Sequence, residues 1–140
     1  MADICYCDSS ALIKLFVEEP ESQALRGYLA QRPVLVASEL LRVEVLRTVA
    51  RSGSEAVSAR AAGWLRSLAL IPVSEPVLVR AATVKPLTMR ALDALHLASA
   101  LDLSPLPDAF LCYDERLADA ARENGLTVLS PGRDEVHETR

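Results

Sequence analysis

Short apolar runs alternate with longer amphipathic stretches along the 140 residues of the chain. Compact apolar runs predict strands at 4–7, 34–37, 70–73, 109–112 and 126–129. Apolar residues at helical spacing predict helices at 11–16, 21–31, 39–51, 55–68, 75–84, 89–101 and 115–123. Strands that alternate with helices favour a parallel sheet covered on both faces. The predicted fold class is therefore α/β, with three α/β/α layers and a central parallel sheet of four to five strands.

The length suits one domain, since domains commonly contain about 100–200 residues. Hydrophobic residues make up 51% of the chain and aromatic residues only 4%, which favours an aliphatic, helix-rich core. We expect a single domain over residues 1–140, with a frayed, charged tail at 133–140.

The cysteines, the N-terminal sequence and the net charge indicate in which cellular compartment the protein works and which partners it can bind. Three cysteines cannot all pair with one another, and Cys5 and Cys7 share one face of a predicted strand, which favours a reduced compartment. A basic leader and a membrane-length apolar run are both missing, so we expect a soluble, cytoplasmic protein that does not contact membranes. A net charge of −4 argues against broad electrostatic adhesion to nucleic acid, but it is compatible with a nuclease whose active site is a cluster of acids.

Two acids follow predicted strands directly. Asp8 comes after the strand 4–7, and Asp114 comes just after the strand 109–112. Ligands of open α/β sheets collect at this edge, where the strands end and the helices begin. Each acid has an equally good alternative interpretation as the N-cap of the following helix. Neither one decides the function by itself.

The third acid lies on the predicted helix 39–51. On a helical wheel Glu44, Arg47, Thr48 and Arg51 form one polar stripe, whereas Glu39 projects nearly opposite. Taken alone, Glu44 is best explained as a solvated helix acid. A carboxylate beside two arginines and a hydroxyl is also a plausible surface for phosphate, so Arg47 and Arg51 are candidate phosphate contacts.

The fourth acid, Asp93, lies in the most apolar predicted helix, 89–101. A buried carboxylate costs several kcal/mol unless it is paired, neutralised or metal-bound. An ion pair with Arg90, one turn earlier, is the alternative to a functional role. His96, one turn later, has the ordinary interpretation of a hydrogen-bonded structural histidine.

Together these acids predict an oxygen-rich pocket suited to Mg²⁺ or Mn²⁺, which prefer carboxylate and water ligands. Metal sites of this kind activate water for attack on a phosphodiester. A receiver-like phosphoacceptor domain would show an adjacent acidic pair after the first strand and a late lysine, but Cys7 precedes Asp8 and no lysine follows Lys85. A phosphatase with an Asp-x-Asp nucleophile is disfavoured because Ser10 stands at the second acidic position.

The stretches 8–14, 38–47, 92–98 and 113–117 carry a family resemblance. In this order they resemble the motifs of the PIN-domain ribonucleases and, among these, of the VapC toxins of bacterial type II toxin–antitoxin pairs. The resemblance covers essentially the whole chain and implies a PIN-like fold. It also implies that Asp8, Glu44, Asp93 and Asp114 are an acidic quartet that coordinates Mg²⁺ and positions the attacking water, with Ser10 supporting the pocket near Asp8.

The same resemblance implies the partners. VapC-like proteins usually form homodimers and are held inactive by a VapB-like antitoxin, whose C-terminal segment places a basic side chain among the acids. Cleavage of structured RNA, such as tRNA or ribosomal RNA, is the implied activity. A PIN-like module that has lost catalysis and only binds a partner is the alternative, although all four acidic positions are filled.

Overall fold

A computed structural model describes residues 3–133 of the chain. The strands are β1 (Ile4–Cys7), β2 (Val34–Ser38), β3 (Ala69–Ile71), β4 (Ala109–Leu111) and β5 (Val128–Leu129). The helices are α1 (Ser9–Ile13), α2 (Ser22–Leu29), α3 (Leu40–Arg51), α4 (Glu55–Leu65), α5 (Glu75–Thr83), α6 (Ala91–Leu101) and α7 (Glu115–Glu123). Both lists agree with the predicted alternation of strands and helices.

The five strands form one parallel sheet in the order β3-β2-β1-β4-β5. From β1 the chain first builds outward through β2 and β3, and then returns to place β4 on the other side of β1. The order therefore reverses between β1 and β4. A reversal of this kind opens a crevice at the carboxyl ends of the two strands, which is where α/β proteins bind ligands.

The two faces of the sheet bury different side chains, as the alternation along a strand requires. Cys5 and Cys7 point into a core formed with helices α1 to α4. Tyr6 points to the other face, where it joins α6 and α7 and stacks on Phe110 with ring centroids 5.3 Å apart. The prediction of a three-layer α/β fold with a parallel sheet of four to five strands is confirmed.

The predicted helix 89–101 needs a correction at its beginning. Helix α6 starts only at Ala91, because residues 86–90 form turns and Arg90 takes an extended N-cap conformation with φ −65° and ψ 150°. Leu92 is half exposed, so the expectation of a helix buried nearly all round is wrong for the first turn. Asp93 consequently lies in that first turn with 19% of its side chain exposed, and not in a buried helix centre.

Two further expectations concern the limits of the chain. The frayed tail predicted at 133–140 lies outside the described residues, apart from Arg133. Within residues 3–133, no helix has the length and apolarity needed to cross a membrane.

Candidate functional site

The ends of β1 and β4 bring Asp8 and Asp114 to the crevice. The Asp8 N–H donates to the Leu111 carbonyl at 3.0 Å, which continues the ladder between the two strands. Each carboxylate also caps a helix: the Asp8 side chain accepts from the Ser10 N–H at 3.3 Å, and Asp114 accepts from the Leu117 N–H at 3.0 Å. The capping interpretation is therefore correct for both residues. It does not exclude a second role, since each carboxylate has a further oxygen lone pair to offer.

Ser10 connects these two strand ends. Its Oγ donates to Asp8 Oδ2 at 2.7 Å and accepts from the Tyr113 N–H at 3.0 Å. The buried Cys112 thiol lies 3.6 Å from the same Asp8 oxygen, and burial raises its pKa, so the group stays a protonated donor. Asp8 is thus held by several donors in one orientation, with only 4% of the residue exposed.

Glu44 reaches the crevice from α3 and is held there by His96 of α6. The His96 Nε2 donates to Glu44 Oε1 at 2.5 Å, and Nδ1 lies 3.0 Å from the Tyr6 hydroxyl. Burial lowers the pKa of His96, but the hydrogen bond to Glu44 and the charges of Asp8 and Glu44 outweigh it, so the pKa is raised. Nε2 also lies 3.9 Å from Asp8 Oδ1. One buried imidazole therefore joins two of the four acids.

Arg90 joins the other two acids. Its Nε lies 3.5 Å from Asp93 Oδ2 and its Nη2 lies 3.9 Å from Asp114 Oδ2. The Arg90 side chain is 77% exposed, so these contacts are solvent-screened and weak. Partial burial raises the pKa of Asp93, as do the charges of Asp114 and Asp8, and Arg90 opposes the rise only in part. The predicted pair between Arg90 and Asp93 exists, but it does not neutralise the local excess of negative charge.

The four carboxylates form one electrostatic cluster in two halves, one joined by His96 and the other by Arg90. Within residues 3–133, no three His, Cys, Asp or Glu side chains stand close enough together to hold a metal ion as they are. The donor chemistry nevertheless fits a hard divalent cation, because the cluster offers carboxylate oxygens and its like charges repel. Displacing the exposed Arg90 would free two of the four carboxylates for such a cation.

The remaining predicted residues lie farther out. Arg47 and Arg51 are exposed on α3, and Arg51 Nη2 lies 3.3 Å from Thr48 Oγ1. No contact among the described residues connects either arginine with the four acids, so their phosphate role stays a prediction. Glu39, the alternative to Glu44, accepts from the Val73 N–H at 2.7 Å and so supports a loop instead.

Sequence reasoning missed the bridging parts played by His96 and Arg90. The sequence supports only ordinary structural roles for both, because it does not show which acid on another element each one meets. The signal that was available is their spacing: positions 90, 93 and 96 lie one turn apart along the start of α6. Arg116 belongs to the motif stretch 113–117 but has no predicted role; it follows Asp114 by two positions and lines a cavity beside Asp93.

The sequence model of the PIN domain matches residues 5–130. Ribonuclease VapC47 of Mycobacterium tuberculosis is 43% identical to the chain over 131 residues, which make up 91% of the chain and 96% of that relative. The chain belongs to the PIN-domain family and, within it, to the VapC ribonucleases. The acids of this VapC-family chain lie inside the matched region, from Asp8 to Asp114.

Solved structures support the same fold. VapC20 of Mycobacterium tuberculosis, described as a toxin that cleaves the sarcin-ricin loop, aligns with a TM-score of 0.73 at 16% identity, covering 91% of this chain and 99% of that one. A toxin–antitoxin complex from Klebsiella pneumoniae aligns with a TM-score of 0.68 at 20% identity, covering 91% and 97%. At these identities the likeness establishes the PIN-like fold of this chain and not its substrate.

Proposed function

We propose that this VapC-family chain is a Mg²⁺-dependent endoribonuclease, able to use Mn²⁺ as well, and the toxin of a type II toxin–antitoxin pair. The observation that carries the proposal is the cluster of four carboxylates at the point where the strand order reverses. The cluster is oxygen-rich, its like charges repel, and its one exposed counter-ion is the weakly held Arg90. A bound divalent cation would relieve that repulsion.

In this proposal Asp8, Glu44, Asp93 and Asp114 hold the metal. The metal would supply an activated water and stabilise charge on the phosphodiester oxygens. Ser10 and Cys112 keep the Asp8 carboxylate in place, and the hydrogen bond from His96 does the same for Glu44. Such positioning matters because metal-binding side chains that are already oriented lose little conformational entropy when the metal and the substrate bind.

The exposed arginines complete the proposed role. With Asp93 and Asp114 engaged in holding a metal, Arg90 would be free to pair with a phosphate of the RNA at the mouth of the crevice. Arg47 and Arg51 are exposed on α3, the helix that also carries Glu44, and are proposed to contact phosphates farther along the strand. Bidentate arginine contacts suit phosphate groups.

The proposed partners are a VapB-like antitoxin and a second copy of the chain. The acidic crevice suits an inhibitory segment that carries a basic side chain, and one structural neighbour is itself a toxin–antitoxin complex. Exposed apolar side chains on the packed helices α5 and α6, namely Leu78, Val79 and Leu92, are compatible with a homodimer. The proposed substrate is structured RNA in the cytoplasm, either tRNA or ribosomal RNA.

A second candidate function is a PIN-like module that binds a partner without hydrolysis. It is favoured by one observation: His96 and Arg90 already contact all four acids. If these contacts persisted in the presence of divalent metal, the crevice would be a binding surface for basic side chains and not a catalytic centre.

Cleavage of RNA by the purified, antitoxin-free chain separates the two candidates. A pool of total tRNA and ribosomal RNA is incubated with the chain in Mg²⁺, in Mn²⁺ and with a chelator, and the fragments are resolved on a denaturing gel. We expect discrete fragments with either metal and none with the chelator. A folded chain that cleaves no RNA under any metal condition would contradict the ribonuclease proposal and favour the binding module.

A further inference from the structure

A cavity of about 290 Å³ opens directly beside the acidic crevice. It lies between the turn segment 86–90 and helix α7, and Arg90 and Asp93 belong to both the cavity and the crevice. Its more buried lining is apolar apart from Asp93, with Met89 half-buried and Ala120 buried. The volume is near the lower end of ligand pockets, which run from about 300 to 1,000 Å³, so it suits one small planar group and not a folded segment.

The charges along the cavity are ordered. Arg116, Asp119 and Glu123 follow one stripe of α7 at spacings of three and four residues. Arg116 is at the end next to Asp114, and Glu123 is about 10 Å farther along the helix at 1.5 Å per residue. The end nearest the acids is therefore flanked by two exposed arginines, Arg90 and Arg116, whereas the far end carries the Glu123 carboxylate. Asp119 lies between them and accepts from Arg122 at 3.2 Å.

This order matches the parts of a nucleotide. A phosphate fits the exposed guanidinium group of Arg116 beside the crevice. A base fits the apolar lining at Met89 and Ala120, and the Glu123 carboxylate at the far end can accept from its N–H donors.

We propose that this cavity is a nucleotide subsite, which holds the nucleoside next to the scissile phosphate while Arg116 binds the adjoining phosphate. The proposal rests on the proposed ribonuclease function, because the bound nucleotide is taken to belong to the RNA strand that the acids cleave. It assigns to Arg116 and Met89 a substrate contact that the four acids do not provide. Binding here requires no metal, so it can be measured separately from cleavage.

Met89 offers a direct readout, since the chain contains only two methionines, Met1 and Met89. With ¹³C-methyl methionine, the spectrum shows two signals, and Met89→Leu assigns them. Nucleoside 5′-monophosphates are titrated in the presence of a chelator, and the unphosphorylated nucleosides are titrated alongside. We expect a saturable shift of the Met89 signal, an unchanged Met1 signal, and weaker binding of the unphosphorylated nucleosides.

Arg116→Gln tests the phosphate contact. It should weaken monophosphate binding about tenfold, the effect of losing a charged hydrogen bond worth about 1.5 kcal/mol. Arg66→Gln is the matched control, because Arg66 is exposed at the end of α4 on the opposite face of the sheet. A Met89 signal that does not respond to any monophosphate, or equal affinities in both variants, would overturn the subsite. RNA cleavage without a Met89 response would overturn the subsite and leave the ribonuclease intact. A Met89 response without cleavage would overturn the ribonuclease, and with it the role of the cavity beside a scissile phosphate.

Discussion

Asp93→Asn should lower metal-dependent RNA cleavage at least about 100-fold, the scale of losing one well-placed electrostatic group in an active site. Asparagine keeps the size and one oxygen of the side chain but removes the charge that a divalent cation requires. The fold should tolerate the change, because Asp93 already experiences repulsion from Asp114 and Asp8. We expect the free energy of unfolding to stay the same or to rise, as is common when a strained functional residue is neutralised. The measurement is the initial rate of RNA cleavage, together with urea unfolding.

The matched control for Asp93→Asn is Asp102→Asn. Asp102 caps the C-terminal end of the same helix, is exposed, and has only a long contact of 4.0 Å with Arg80. The Asp102→Asn substitution makes the same change of charge and shape about two and a half helical turns from Asp93. Cleavage by Asp102→Asn should equal that of the unmodified chain. If both variants lost activity alike, or if Asp93→Asn kept it, the assignment of Asp93 to the metal site would be wrong.

Glu21→Gln should reduce the stability of the fold by about 1–2 kcal/mol at neutral pH. Glu21 accepts from the Lys14 Nζ at 2.9 Å and from the Arg133 Nε at 3.0 Å, and the Lys14 side chain is only 5% exposed. Glutamine would leave the buried ammonium of Lys14 with the more distant Glu19 at 3.4 Å. Urea unfolding followed by the fluorescence of Trp64, the only tryptophan, measures the difference.

The effect of Glu21 should depend on pH in a defined direction. The hydrogen bond from Lys14, aided by Arg133, lowers the pKa of Glu21 from 4.5 to about 2. A lowered carboxyl pKa stabilises the fold above the ordinary value, and the stabilisation is lost as pH falls from 4.5 towards 2. The difference in free energy of unfolding between the unmodified chain and Glu21→Gln should therefore shrink over that interval.

Glu18→Gln provides the comparison for Glu21→Gln. Glu18 pairs with Arg26 at 3.1 Å, but both side chains are largely exposed, so its removal should cost less than about 0.5 kcal/mol. Equal losses in the two variants, or a Glu21→Gln difference that grows towards acid pH, would contradict the account. The buried network also reaches the site, because Arg133 donates to the carbonyl of Tyr113, the residue before Asp114.

Local pattern was enough to predict the framework of the crevice. Apolar runs followed by Asp8 and Asp114 define strand ends, and parallel strands place their ends at one edge. The helical period on α3 was enough to predict that Glu44 and Glu39 point in different directions. In the structure Glu39 supports the loop at Val73 and not the crevice. These features depend on neighbours in the sequence, so the sequence contains the information that fixes them.

The contacts between elements could not be predicted in the same way. His96 lies between Glu44 and Tyr6, which are 52 and 90 positions away, and nothing local in the sequence specifies either partner. The exposure of Asp93 depends on where α6 begins, and this is set by the turn segment 86–90 rather than by the apolar pattern of the helix. The cavity beside Arg116 exists only because that segment and α7 come together in the fold.

The position of a bound cation tests the proposed site most directly. Small amounts of Mn²⁺ are added to the ¹⁵N-labelled chain, and the paramagnetic broadening of the backbone amide signals is mapped onto the fold. Weak binding is sufficient, because rapid exchange of Mn²⁺ between chains broadens the signals of all of them. We expect broadening centred on residues 8–10, 44, 93–95 and 114–115, and much less of it in Asp93→Asn. Broadening centred on the exposed acids Glu18 and Glu19, or spread evenly over the surface, would show that the four carboxylates are not the metal site.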